Sequence, residues 1–183
     1  MRPWFALLSL ASGLIVAGCG GEAPPTDVRD EMPFRDPLRP GVRLDRLLAA
    51  SGDAQPVLDA MRPPRTREAV PVANAHVEGQ VDSLVTWTYD GLAVEAHAVT
   101  GGPTLVRRVV ATESAYGTLN GVSVGETRAN LEDILGEASA EAGGVASYLA
   151  DAAEMPTFVD VVYAPDDDGV DRAVRIAWRL PVD

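Results

Sequence analysis

Few residues of this 183-residue chain have types and spacings suited to chemistry. Cys19, the single cysteine, offers one thiol. Gly121-Val122-Ser123-Val124-Gly125 has the G-x-S-x-G spacing that exposes a serine nucleophile on a strand-to-helix turn. That chemistry needs a strand before the serine and an acid and a histidine after it. Residues 115–120 are mostly polar or small, and both histidines, His76 and His97, precede Ser123. A loop leading into a helix explains the same residues. Asp166-Asp167-Asp168-Gly169 suggests calcium. With Gly169 at the sixth position of an EF-hand loop, however, Ala164 and Arg175 occupy the first and twelfth, where carboxylates are required. A solvated hairpin tip is expected instead. The two histidines show no His-x-x-His or His-Glu-x-x-His spacing, so no metal site is expected. Arg172, Arg175 and Arg179 read as sheet surface paired with acids rather than as an anion site. No catalytic, cofactor or metal residue is predicted, and the chain is expected not to be an enzyme.

Cys19 is the exception. Met1-Arg2 supplies a short positive start, and Trp4 to Val16 is an apolar run too short to span a bilayer as a helix. Val16-Ala17-Gly18-Cys19 follows, with small residues just before the thiol. This layout resembles a bacterial lipoprotein signal peptide with its lipobox. The resemblance implies cleavage after Gly18, diacylglycerol on the Cys19 thiol and a fatty acid such as palmitate on the new amino terminus. Two or more acyl chains hold a protein stably at a membrane where one does so only marginally. The expected partner at this end is therefore the membrane itself. The expected location is the extracytoplasmic cell envelope. Glycine rather than aspartate at position 20 favours the outer membrane in a Gram-negative cell.

Composition narrows the rest. With Cys19 lipidated, neither a disulfide nor a cysteine-based zinc or iron–sulfur site is available. All 15 basic residues are arginine, and 27 acids leave a net charge of −12. Such a surface argues against nucleic acid and against docking on anionic headgroups.

The elements that must carry these residues follow from pattern. Residues 1–18 read as the signal peptide. Residues 19–41 read as the lipidated terminus and a Pro/Gly-rich linker, because prolines 24, 25, 33, 37 and 40 break helix and central strand alike. Val42 to Met61 shows helical spacing of Leu44, Leu47, Leu48, Leu58 and Met61, divided by Gly52 and Pro56. Residues 65–80 read as a loop. Val85, Trp87 and Tyr89 alternate with threonines, and Asp90-Gly91 signals a hairpin. Leu92, Val94, Ala96 and Ala98 share the next strand's apolar face, and Leu105 to Thr112 forms a third strand. Leu131, Ile134 and Leu135 mark a short helix ended by Gly136, with Ser123–Glu126 as a capping box and Thr127 as the rival cap. Residues 137–146 look small and flexible. Strands are predicted from Ser147, over Phe158–Tyr163 and over Val170–Leu180. In the last, Val170, Val174, Ile176, Trp178 and Leu180 are assigned to one face. Trp87, Tyr89 and Trp178 are expected in the core.

The chain thus divides into a first helix-plus-strands half, 42–114, and a second, 115–183. Residues 92–113 lie over 157–178 without a gap, matching Val94 to Val159, Arg107 to Arg172 and Val109 to Val174. This is the pattern of two tandem helix-plus-hairpin repeats. The expected fold class is α+β, an antiparallel sheet with short helices packed on one face.

Gly121-Val122-Ser123-Val124-Gly125, then Leu131, Leu135 and Gly136, then a spacer and two strands, resembles the small modules of the BamE (SmpA/OmlA) lipoproteins and the β-lactamase inhibitor protein. The likeness covers residues 115–183, with 43–114 as a diverged first copy. The sequence departs from the pattern in having one helix rather than two before the second set of strands. It also lacks a proline after Gly136. Members of those families bind other proteins. The resemblance therefore implies a non-enzymatic, protein-binding envelope module, in envelope assembly or as an inhibitor-like domain. The alternative is a carrier holding a small apolar ligand or lipid between helix and sheet.

Overall fold

Alternation of apolar and polar residues builds most of the molecule. A computed structural model describes residues 44–48, 52–116, 121–152 and 155–180. The chain divides into two units, Met1–Pro33 and Phe34–Asp183, and every described residue belongs to the second. The signal peptide, Cys19 and the linker up to residue 41 lie outside the described residues.

Two short helices come first, α1 (Leu44–Leu48) and α2 (Gln55–Ala60). Four strands follow: β1 (Thr66–Ala73), β2 (Val81–Tyr89), β3 (Leu92–Ala98) and β4 (Thr104–Ala111). Then come α3 (Arg128–Leu135) and four more strands. These are β5 (Ala140–Ala142), β6 (Val145–Ala152), β7 (Met155–Pro165) and β8 (Asp171–Arg179). All eight strands form one antiparallel sheet in the order β1-β2-β3-β4-β8-β7-β6-β5. The fold is α+β and dominated by this sheet. The two halves meet where β4 pairs with β8, Val109 opposite Trp178 and Ala111 opposite Ile176.

The described helices pack against one face. Leu44 and Leu47 of α1, Leu58 of α2 and Leu131 of α3 join one core with Val85, Trp87, Tyr89, Val94, Val109, Tyr148, Val159, Ile176 and Trp178. The predicted core aromatics Trp87, Tyr89 and Trp178 are all buried. Burial pushes the Tyr89 phenol up to about 12. Asp53 ties the first helices to the sheet: its Oδ1 accepts from the Thr104 backbone N–H at 2.9 Å and from the Gln55 N–H at 3.1 Å. Those two bonds hold the Asp53 carboxyl below its ordinary range. Thr127, not Ser123, caps α3, its hydroxyl accepting from the Asn130 N–H at 3.2 Å. Gly136 ends the helix at φ 81°, a conformation a Cβ disfavours.

Four expectations are corrected. Residues 66–73 are a strand, not a loop. β1 is exposed along nearly its whole length, so the burial alternation that reveals a strand is absent, and Pro71 is tolerated because β1 is an edge. Residues 140–146 are the turn end of a hairpin rather than a flexible stretch, with Gly143 and Gly144 at φ 59° and 78° making its turn, and the strand expected from Ser147 begins at Val145. Ile134 is exposed beside the buried Leu131, its side chain lying over Gly121. Finally, the face assignment of β8 breaks at Val174. Val162 pairs with Arg175 and Tyr163 with Ala173, so Val174 is the extra residue of a β-bulge. A bulge shifts side-chain alternation by one. Val170 and Val174 are therefore exposed, while Ala173 joins Ile176 and Trp178 in the core. β4 carries the same irregularity. Glu95 pairs with Arg108 and Ala96 with Val106, which makes Arg107 the extra residue.

Candidate functional site

The face of the sheet turned away from the described helices is the candidate site. Register places Leu84, Thr86 and Thr88 of β2 there, beside Glu95 and His97 of β3 and Leu105, Arg108 and Val110 of β4. Across the seam follow Arg175, Ala177 and Arg179 of β8, Phe158, Asp160 and Val162 of β7, and Ser147 and Leu149 of β6. This open face mixes charge with exposed apolar groups. Val70 on β1 is 57% exposed, Leu149 50% and Phe158 37%.

The charges are organised unevenly. Arg179 forms a two-pronged ion pair with Asp160, Nε to Oδ2 at 2.6 Å and Nη2 to Oδ1 at 2.9 Å. Its guanidinium stacks over the Phe158 ring, 5.0 Å from the centroid. Burial pushes the Asp160 carboxyl up. Hydrogen bonds from Arg179 and Ser147, with the nearby charges of Arg179 and Arg108, outweigh it and leave the group below its usual range. The β4 bulge sets Arg107 and Arg108 beside this pair. Among the described residues neither forms an ion pair, and the buried Nε of Arg108 has no hydrogen-bond partner. Glu95, Arg107, Arg108, Phe158, Arg179 and Leu180 line a depression of about 300 Å³.

At the β3–β4 turn end of the first half lies a second polar cluster. Asp82 is fully buried. It accepts hydrogen bonds from Asn74 Nδ2 at 2.7 Å, Gln80 Nε2 at 3.0 Å and the Thr100 backbone N–H at 2.9 Å. His97 Nε2 lies 3.0 Å from Oδ2, the oxygen that also accepts from Asn74. The Gln80 bond, the Thr100 N–H and the remaining partners overcome burial and hold its carboxyl at about 2. One carboxylate thus joins the β1–β2 loop, β3 and the β3–β4 turn. The arrangement reads as a structural clamp.

The singled-out motifs are accounted for locally. Ser123 is buried in the loop before α3, and that loop is stitched to β8: the Gly125 N–H donates to Ala173 O at 2.8 Å, and Ala173 N–H to Glu126 O at 2.9 Å. His97 is engaged with Asp82, and His76 sits in an exposed loop whose backbone is held by Asn74. Asp166 closes its hairpin, Oδ1 accepting from the Asp168 and Val170 N–H groups, both at 2.9 Å, and Oδ2 from Arg172 at 2.6 Å. The Arg172 bond, followed by the Val170 N–H, lowers its pKa. Of the three β8 arginines, Arg172 and Arg179 have carboxylate partners, as the strand pattern predicts; Arg175 has none among the described residues. Sequence reasoning missed Arg108, Phe158 and Asp82. The available signal for the first was the Arg107-Arg108 doublet inside an apolar strand, which only a bulge accommodates. For Asp82 no local signal existed.

No family model and no curated protein matches the chain. Among solved structures, the chain is similar to the uncharacterized protein yfeY from Escherichia coli. The match has 14% sequence identity and a TM-score of 0.39, and covers 72% of this chain and 91% of that one. No described helix is long and apolar enough to cross a membrane.

Proposed function

We propose that this chain is a lipid-anchored, extracytoplasmic protein-binding module that is not an enzyme. It uses the open face of its sheet to engage another envelope protein. One observation carries the binding half of this reading: a sheet face free of the described helices, on which Phe158, Leu149 and Val70 stand exposed among charges. Apolar side chains rimmed by polar ones are the composition of an interaction surface. The space between helices and sheet is occupied by Trp178, Tyr148, Leu47, Leu131 and Ile176, all fully buried. That filling favours the open face over a carrier's internal cavity, which would need a few hundred Å³ of open space, roughly.

The anchoring half rests on Val16-Ala17-Gly18-Cys19 and the proline-rich linker behind it. The finer reading of the fold is a tandem repeat. Laying one bulge on the other matches Arg107 with Val174, Val109 with Ile176 and Ala111 with Trp178. The same correspondence exchanges the Val109–Trp178 and Ala111–Ile176 pairs across the seam, as a local two-fold axis would. This match lies two residues beyond the ungapped sequence alignment, which set Arg107 against Arg172.

Two experiments test the reading. A photo-reactive benzoylphenylalanine replacing Leu149 in the full chain, irradiated in intact cells, is expected to give a discrete adduct that the same group at Asp133 on α3 does not. Equal labelling from both positions counts against the open face. Cys19→Ala is expected to release the chain from membranes and to abolish fatty-acid labelling. Continued membrane association of that variant overturns the anchor.

A further inference from the structure

The depression at the centre of the open face holds more positive charge than its surroundings neutralise. Register sets Arg108 directly opposite Arg179 on the two seam strands. Like charges directly opposite one another destabilise a sheet. Asp160 holds Arg179 in a direct ion pair and feels the nearby charge of Arg108, but no ion pair joins it to Arg108 among the described residues. Glu95 is the register partner of Arg108 on β3, yet no ion pair joins them among the described residues. The Arg108 Nε is buried with no hydrogen-bond partner among the described residues, an arrangement that costs stability. The bulge at Arg107 adds a second guanidinium at the same place, which likewise forms no ion pair among the described residues. All this occurs in a chain whose net charge is −12, where acids to neutralise an arginine are abundant.

We propose that this depression receives an acidic side chain of the partner protein, Arg107 and Arg108 binding its carboxylate while Phe158 contacts the apolar residue beside it. The proposal rests on the open-face reading and names the chemistry of its partner. Three observations favour a polypeptide carboxylate. A guanidinium fork matches a carboxylate in shape and charge. Phe158 and Leu180 on the rim suit a side chain rather than a free inorganic ion. The chain's excess of acid opposes an extended anionic surface such as a bilayer, whereas a single carboxylate senses mainly charges within about 8 Å.

The test uses the full-length chain, uniformly 15N-labelled, in detergent micelles. The probes are acetyl-Leu-Glu-Phe-amide, its glutamine counterpart and inorganic phosphate, and the readout is the arginine Nε–H resonances. The glutamate peptide is expected to shift the Arg108 signal saturably, and the glutamine peptide to bind roughly tenfold or more weakly, the value of one charge-assisted hydrogen bond. The R107Q/R108Q double variant should abolish the response. Equal response to both peptides, no response to either, or phosphate binding as tight as the glutamate peptide overturns the proposal. Arg108→Met should meanwhile raise Tm by about 2–4 °C, because it removes a buried unpaired donor and a like-charge opposition. A fall in Tm would show that Arg108 supports the fold and would overturn its assignment as a ligand group. The photo-adduct at Leu149 separates the carboxylate site from the open face. If it persists unchanged in R107Q/R108Q, the carboxylate site is wrong and the open face stands. If Leu149 and Asp133 label alike, the open face fails, and the partner assignment fails with it.

Discussion

Trp178 and Arg179 are consecutive residues of β8, yet they inhabit different worlds. Trp178 is 1% exposed among the helices, whereas Arg179 lies on the open face, stacked on Phe158 and paired with Asp160. The same contrast recurs at Tyr148 and Leu149 on β6, one fully buried and the other half exposed. The covered face is apolar and filled. The open face is mixed, and at its centre Arg107 and Arg108 form no ion pair among the described residues. The two faces thus differ in what holds their side chains in place, close packing on one and exposed polar pairing on the other. Packing explains nearly every residue of the first face but does not explain Arg108 on the second.

Trp178→Ala offers the largest contrast. Loss of this buried ring is expected to cost about 3–5 kcal/mol in denaturant unfolding. Arg179→Met on the same strand should cost about 0.2–1 kcal/mol, the range for an exposed ion pair. Similar losses from the two substitutions would break the distinction between the faces.

Asp82→Asn comes next, because it changes the charge of a carboxylate with four polar partners. Its folded pKa of about 2 lies below the ordinary 3.8, so its stabilising contribution is present above about pH 4 and lost as pH falls toward 2. The variant should unfold at lower denaturant than the parent at pH 7, and the gap should close on acidification through that window. A gap constant from pH 7 to pH 2 would show that the carboxylate charge is not what clamps the turn.

The smallest expected effects sharpen the comparison on β6. Tyr148→Phe removes the hydroxyl that lies 2.8 Å from that of Tyr163, at a cost of about 0.5–1.5 kcal/mol. Burial, aided by the Tyr148 hydrogen bond, pushes the Tyr163 phenol up. Leu149→Ala, next along the strand, should leave Tm within about 1–2 °C of the parent while reducing partner capture. A large drop in Tm would place Leu149 in the fold rather than at its contact surface.

Legibility from the sequence followed the same division. β2, β3 and the hairpin at Asp90-Gly91 could be read because one side of each strand meets the core and the other does not. β1 could not, since an edge strand exposed on both sides has no alternation to display. Residues 140–146 were obscured by alanine and glycine, which carry little pattern. The site was less legible than the fold. Arg107-Arg108 was visible as a doublet, but nothing local to it specifies that a bulge falls there and sets Arg108 opposite Arg179.

By itself the sequence determined the α+β class, the core aromatics, the turns at Asp90-Gly91 and Asp166–Gly169 and the positions of β2, β3, β4, β6, β7 and β8, because each follows from residue periodicity and turn chemistry within a few neighbours. It also carries the lipobox-like run at Cys19, a linear signal that needs no fold. Only the tertiary structure decided the rest: that the two halves join through β4 and β8, that bulges at Arg107 and Val174 reverse the faces beyond them, and that Arg108 opposes Arg179 with no ion pair of its own among the described residues. Those features depend on pairing between strands far apart in the chain, where a one-residue shift redirects every side chain and no local pattern records which shift occurs.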